Sequence, residues 1–161
     1  MKTMLAVKDL LGDYRPANPD EILSAAKEVI SHRFRRGACI TSPFVSFELF
    51  RQKLLLRQQE VFAALFLDNK HRVIIYEELF FGTIDSASVH PRIVAQRALQ
   101  HNAAAVIVAH NHPSGVAEPS RADESITLRL KEALTLVEVR LLDHIVVGDD
   151  KCVSLAERGV I

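Results

Sequence analysis

The sequence predicts a mixed α/β (α+β) domain in which one mixed β-sheet is packed between helices. Residues 60–67 and 72–81 are apolar runs joined by a polar turn, the pattern of a β-hairpin. Residues 103–109 form a continuous apolar run, which is typical of a central strand buried on both faces. Segments with helical spacing of apolar residues separate these strands, so helices are expected to cover the sheet.

The other elements follow from helix start signals and apolar spacing. Residues 1–18 are expected to form an arm, and Asp20 to cap a first helix. Pro43 and Pro91 each stand where proline is tolerated at the start of a helix. In chain order the prediction is a helix over about 20–34, a helix from 43, the hairpin, a loop over 82–88, a helix over 91–101, the strand 103–109, a loop over 110–119, a helix over 121–136, a strand over 139–147 and a short last strand.

Length and charge limit the function classes. The chain has 161 residues, 48% of them hydrophobic and 25% charged, which suits a globular protein with one main domain. We divide it into residues 1–36, an arm and a helix, and residues 37–161, which carry the chemistry. Twenty Lys and Arg balance twenty Asp and Glu, so the charge does not support a nucleic-acid partner. The basic run 32–36 is interpreted as a solvated helix end, with contact to an anionic partner as the alternative.

Cysteine content and the first residues of the chain suggest a location. Cys39 and Cys152 are far apart and form no CxxC pair, which argues against a disulfide framework and a thiolate zinc site. Charges interrupt the first apolar residues, and no run of about 18 apolar residues occurs in the sequence. We therefore predict a cytoplasmic protein with no membrane contact. The sequence leaves open whether the chain forms a homo-oligomer.

The most informative segment runs from His110 to Asp123. His110 and His112 alternate at the end of a predicted strand, so both imidazoles can face one point. If Ser120 caps the next helix, Asp123 lies in its first turn and faces back toward those imidazoles. Two neutral nitrogens and one carboxylate are a donor set of catalytic zinc sites, which keep a fourth position for water. The sequence therefore predicts one zinc ion per chain, bound by His110, His112 and Asp123.

Each part of this segment also has a purely structural explanation. Ser120 and Asp123 have the spacing of a helix cap, and a lone histidine at a strand end is usually structural. No shared structural need explains two alternating histidines, a turn with Gly and Pro, and a capped aspartate on one short stretch. The combination therefore favours metal binding.

The same residues resemble a known family. His110-x-His112, seven residues, Ser120, two residues and Asp123 match the motif of the JAMM (MPN+) metalloproteases. His-Asn-His-Pro-Ser-Gly at 110–115 resembles the RadC branch of that family. The likeness extends from about Cys39 to Ile161 and includes Glu60-Val-Phe, Phe81-Gly-Thr, His90-Pro-Arg and Asp143-His-Ile.

The resemblance implies an MPN (JAB) fold over residues 37–161, similar to that of cytidine deaminases, with zinc at the residues named above. Its implied activity is that of a zinc metallopeptidase or isopeptidase acting on a peptide or protein substrate. The longer RadC proteins carry a helix-hairpin-helix module at their front. Residues 1–36 are expected to be too short and too poor in glycine to supply it.

Two further roles are implied by the resemblance. Glu60 matches the glutamate that holds and deprotonates the water on zinc, and Ser120 matches the serine that steadies the tetrahedral intermediate. Taken alone, Glu60 indicates only the polar end of a helix-to-strand connection. Its catalytic role therefore depends on the family pattern.

Two other histidines are not assigned to the metal. His90 precedes a predicted helix and is interpreted as a cap or loop residue. His144 interrupts an apolar strand next to Asp143, where we expect a core hydrogen bond. A hydrogen bond from Asp143 or His144 to a ligating imidazole is a secondary hypothesis.

Other function classes compete with the hydrolase. A DNA-repair or nucleic-acid-processing role of the RadC type is the alternative. His-Asn-His at 110–112 superficially matches an HNH nuclease, but that signature spreads its residues over two strands and a helix. A nucleoside deaminase requires Pro-Cys-x-x-Cys, which the sequence lacks. A non-catalytic binding module with this fold is disfavoured because the metal ligands are intact.

Overall fold

The computed structural model describes residues 6–8, 13–33, 37–82 and 89–161. Expectations for the intervening residues lie outside the described part of the chain, and these include most of the basic run and the Ser-rich loop. The chain divides into two compact units, Met1–Arg35 and Arg36–Ile161. None of the helices within the described ranges has the length and apolar character of a membrane-spanning segment.

In the first unit, the predicted arm contains two short strands. Strand β1 (Ala6–Lys8) pairs antiparallel with β2 (Tyr14–Pro16). The sequence predicted an arm here and did not identify these two strands. Three-residue strands whose side chains are mostly exposed leave no apolar alternation by which the sequence could reveal them.

Helix α1 spans Pro19–Arg33. Its cap is Asn18, and not Asp20 as predicted. The Asn18 side chain accepts a hydrogen bond from the Glu21 N–H, and the Glu21 carboxylate accepts one from the Asn18 N–H, each at 2.9 Å. This reciprocal capping box satisfies two backbone donors and lets proline occupy the first helical position.

The described part of the second unit contains three helices and a five-stranded sheet. The helices are α2 (Pro43–Leu54), α3 (Pro91–Gln100) and α4 (Arg121–Thr135). The strands are β3 (Val61–Leu67), β4 (Val73–Phe81), β5 (Ala105–Asn111), β6 (Arg140–Val147) and β7 (Cys152–Ser154). Their order is β4-β3-β5-β6-β7, with β5 and β6 parallel and the other pairs antiparallel. The prediction of a mixed α/β fold with a mixed sheet is confirmed.

Helices cover both faces of this sheet. Apolar residues of β3 and β5 pack against α3 and α4 in one buried cluster, which contains Phe62, Ala64, Phe66, Val94, Ala98, Val106, Val108, Leu130 and Leu134. Ile107 and Asp143 face the opposite side, beside the start of α2. All seven residues of β5 are buried, as predicted for a central strand.

One end of the sheet gathers the predicted site. In the register of β3 with its neighbours, Phe62 pairs with Phe80 of β4 and with His110 of β5. The start of β3, the end of β4 and the end of β5 therefore coincide. Glu60 directly precedes β3 and His112 directly follows β5, so the topology brings both residues to the same edge.

Candidate metal centre

The three predicted ligands converge in the structure. The Nε2 atoms of His110 and His112 lie 2.9 Å apart. Asp123 Oδ1 lies 3.3 Å from His110 Nε2, and Asp123 Oδ2 lies 3.5 Å from His112 Nε2. Ligands of a tetrahedral zinc, each about 2.0 to 2.1 Å from the ion, stand roughly 3.3 Å from one another. The observed spacings therefore fit one ion.

His110 is held by the core of the domain. The residue is 1% exposed, and its ring stacks on Phe62 with 6.3 Å between the ring centroids. Its Nδ1 lies 2.8 Å from Nε2 of His144, and Nδ1 of His144 lies 2.5 Å from the Thr127 hydroxyl oxygen. The expected hydrogen bond of His144 within the core is therefore confirmed, and its partner is a histidine of the site.

His112 is held by a loop. Its Nδ1 lies 2.7 Å from the carbonyl oxygen of Val116. Gly115, in the same loop, has a φ of +80°, and a Cβ there would overlap the Asp149 carboxylate. The Asp149 N–H donates to the Gly115 carbonyl at 2.9 Å. The loop is thus tied to the turn between β6 and β7 and requires glycine at this position.

Asp123 is oriented by the cap of α4. The Ser120 N–H donates to Asp123 Oδ2 at 2.7 Å, and the Asp123 N–H donates to Ser120 Oγ at 3.2 Å. The Ser120 hydroxyl also donates to Asp123 Oδ2, at 2.7 Å. The Asp123 carboxylate therefore has two positions at once: it takes part in the N-terminal cap of α4, and it faces the two histidines. The role of Ser120 toward an intermediate stays a prediction.

The electrostatics of the cluster favour a cation. Burial raises the pKa of Asp123, but hydrogen bonds from His110 and His112 outweigh burial and hold that pKa well below its usual range. The hydrogen bond to Asp123 raises the pKa of His112, and the charge of Glu60 adds to the shift. Burial holds the pKa of His144 well below its usual value, so this ring is neutral at pH 7.

Asn111 connects the ligand strand to the segment that carries Glu60. Glu60 is half-buried. Asn111 Oδ1 accepts from the Val61 N–H at 2.9 Å, and Asn111 Nδ2 donates to the carbonyls of Arg57 and Gln59 at 3.3 and 3.1 Å. These bonds hold the backbone on both sides of Glu60. Sequence reasoning missed this function of Asn111, whose only signal was a polar residue between two histidines in a buried strand.

Asp143 and His90, which the sequence analysis also considered, lie apart from the cluster. Asp143 faces the other side of the sheet, where its carboxylate accepts from the Ser154 hydroxyl at 2.7 Å and from two backbone N–H groups. Of the two residues in the secondary hypothesis, His144 contacts a candidate ligand and Asp143 does not. His90 is the N-cap residue of α3, as predicted, but its side chain makes no cap hydrogen bond and its ring lies against Phe80.

Comparison with known proteins identifies the family. The RadC-like JAB domain matches residues 40–160 of the sequence. The chain belongs to this family. The RadC-like JAB domain described here is 56% identical over 151 residues to a UPF0758 protein of Thioalkalivibrio sulfidiphilus, covering 94% of this chain and 67% of the relative. It is 58% identical over 139 residues to a UPF0758 protein of Nitrosococcus oceani, covering 86% and 62%.

A third relative, a UPF0758 protein of Halorhodospira halophila, is 55% identical over 156 residues, which cover 97% of this chain and 70% of the relative. The chain therefore spans about two thirds of the length of these curated relatives.

In this RadC-like JAB domain the candidate centre has one closed and one open side. The side chain of His110 is 2% exposed, whereas those of His112 and Asp123 are 18% and 16% exposed. The site is therefore open to solvent beside His112 and Asp123.

Proposed function

We propose that this RadC-like JAB domain is a zinc-dependent hydrolase that cleaves a peptide-like amide, as a metallopeptidase or isopeptidase. The observation that carries the proposal is the convergence of His110, His112 and Asp123, with donor atoms that all lie within 4.8 Å of one another. Glu60 precedes the strand that pairs with the His110 strand, so a carboxylate stands beside the cluster.

The donor set supports zinc as the ion. Imidazole nitrogens suit zinc and similar transition metals, whereas magnesium and calcium take oxygen ligands. Three protein ligands leave one position open, as in catalytic zinc sites. When bound, zinc would supply Lewis-acid chemistry, because it lowers the pKa of water to about 7 and polarises a carbonyl group.

The residues of the chain would supply the proton transfers. We assign Glu60 the role of accepting a proton from the attacking water and returning it to the leaving nitrogen. The position of Glu60 supports this role. The charge of Glu60 raises the pKa of His112, and Asn111 holds the backbone on both sides of Glu60. Ser120, beside Asp123, is the residue to which we assign a hydrogen bond to the oxyanion.

A peptide or protein is favoured over nucleic acid as the substrate. The sequence carries equal numbers of basic and acidic residues, so it lacks the net positive charge that gathers phosphate backbones. Cleavage of a peptide-like amide also requires a proton for the leaving nitrogen, and Glu60 can supply that proton. A DNA-processing role of the RadC type is the alternative outcome of the test below.

The test combines metal content with turnover. Protein purified without added metal should carry zinc and should cleave members of a quenched-peptide library. Glu60→Gln should keep its zinc and lose activity by about 10²- to 10⁴-fold, because an amide cannot accept the proton. Glu132→Gln, which changes an exposed carboxylate of α4, is the matched control and should retain both properties.

Two results would contradict the proposal. Full activity of Glu60→Gln would remove Glu60 from the mechanism. A zinc-loaded protein that cleaves no peptide, but binds or cuts DNA with strong dependence on salt concentration, would favour the nucleic-acid alternative.

A further inference from the structure

A chain of buried hydrogen bonds lies behind His110. His110 Nδ1 is 2.8 Å from His144 Nε2, and His144 Nδ1 is 2.5 Å from Thr127 Oγ1. Thr127 Oγ1 is in turn 2.5 Å from the backbone carbonyl oxygen of Asp123. His144 and Thr127 are both 0% exposed. This series of hydrogen bonds therefore begins at one candidate ligand, His110, and ends on the backbone of another, Asp123.

The direction of these hydrogen bonds follows from the last acceptor. A backbone carbonyl oxygen can only accept, so the single hydroxyl hydrogen of Thr127 is donated to Asp123. Thr127 Oγ1 must then accept from Nδ1–H of His144. The reverse direction would leave two oxygen atoms 2.5 Å apart with no hydrogen between them.

The metal position fixes the other end of this series of hydrogen bonds. An Nε2 atom that binds an ion presents its lone pair, so the ring proton of a ligating His110 is on Nδ1. That proton is donated to His144 Nε2, 2.8 Å away. The direction set by the Asp123 carbonyl and the direction that a bound ion requires are therefore the same.

We infer that Thr127 and His144 are positioning residues that orient His110 and accept its Nδ1–H when His110 Nε2 binds an ion. His112 is oriented by another route, because its Nδ1–H donates to the Val116 carbonyl. An ion between the two Nε2 atoms, which lie 2.9 Å apart, would then meet a lone pair from each ring. The inference rests on the metal-binding part of the proposed function and not on hydrolysis.

Zinc affinity tests the inference with matched variants of one helix. Thr127→Val keeps the side-chain shape but removes the hydroxyl, so His144 can transfer its proton to Nε2 and donate to His110. The zinc dissociation constant should rise by about 10- to 100-fold. Thr127→Ser restores the hydroxyl and should bind zinc like the parent. Thr135→Val removes another α4 hydroxyl that bonds a carbonyl four residues back, and should also bind like the parent.

A long-range ¹H–¹⁵N spectrum of the zinc-free protein reads the tautomers directly. The parent should show the Nδ1–H tautomer for His144, and Thr127→Val should populate the Nε2–H tautomer of His144. An Nε2–H tautomer of His144 in the parent would overturn the inference. So would a Thr127→Val variant that is only less stable, with unchanged zinc affinity and tautomers. Failure to cleave amides would contradict the hydrolase proposal alone, since neither readout involves turnover.

Discussion

The two histidines of the candidate centre present the same atom, Nε2, from unlike surroundings. His110 belongs to a central strand, stacks on Phe62 and is 2% exposed at its side chain. His112 follows the strand in a loop and is 18% exposed at its side chain. The Nδ1 atom of His110 contacts another buried ring, whereas that of His112 contacts a backbone carbonyl. One wall of the site is therefore part of the core, and the other is a loop.

This difference indicates how metal binding and folding are connected in the domain. A change in the buried wall should alter both zinc binding and the free energy of unfolding, because the same contacts serve both. A change in the loop wall should alter zinc binding with little effect on the core. The following variants separate these two expectations.

The largest effects are expected for the two ligands themselves. His110→Ala and His112→Ala should both lose bound zinc, measured as metal content after purification. In zinc-free protein, His110→Ala should lower the free energy of unfolding by about 2 kcal/mol or more, since it opens a buried cavity and leaves Nε2 of His144 without its partner. His112→Ala should stay within about 0.5 kcal/mol of the parent in the same chemical denaturation experiment. Equal destabilisation of the two variants would contradict the distinction between the walls.

An intermediate effect is expected for Asn111→Ala, which tests the contact between β5 and the segment that carries Glu60, outside the two walls formed by the histidines. The change removes three hydrogen bonds to the backbone from Arg57 to Val61. Turnover of a cleaved peptide should fall by about 10- to 100-fold through misplacement of Glu60, while zinc content stays near that of the parent. Loss of zinc in proportion to activity would show that Asn111 acts on the ligands instead.

The smallest effect is expected in the loop wall, at Gly115. Gly115→Ala and the control Gly159→Ala each place a Cβ at a positive φ, +80° and +77°, and each should cost about 1 to 2 kcal/mol of stability. The two positions differ in the space for the added Cβ. At Gly115 the Cβ would overlap the Asp149 carboxylate, whereas at Gly159 it would meet no atom within 4 Å. Gly115→Ala should therefore weaken zinc binding, and Gly159→Ala should not. Equal zinc affinities, measured by titration, would mean that the loop adjusts without moving His112.

Much of the fold was predictable because its signals are local. Apolar runs with polar turns identified the hairpin and the central strand, and prolines marked the starts of α2 and α3. His110, His112 and Asp123 lie within one short segment, so their spacing alone predicted that they meet. The cap at Ser120 was also readable from spacing.

What the sequence did not reveal depends on pairing between distant segments. The bonds of Asn111 to residues around Glu60 follow from the register of β3 against β5, which no local pattern specifies. The partner of His144 follows from the parallel alignment of β6 with β5, which places it on the same face as His110. Glu60 itself was found only through the family pattern, because a lone glutamate at a strand start has no distinctive spacing.

The reciprocal cap at Ser120 and Asp123 has a consequence for how the protein acquires its ion. The first turn of α4 is capped by a carboxylate that also faces both imidazoles. Loading should then require little backbone rearrangement, and its rate should be limited by shedding hydration water and by access beside His112. Such a site is expected to exchange its ion through side-chain motion alone, on a timescale far shorter than that of unfolding.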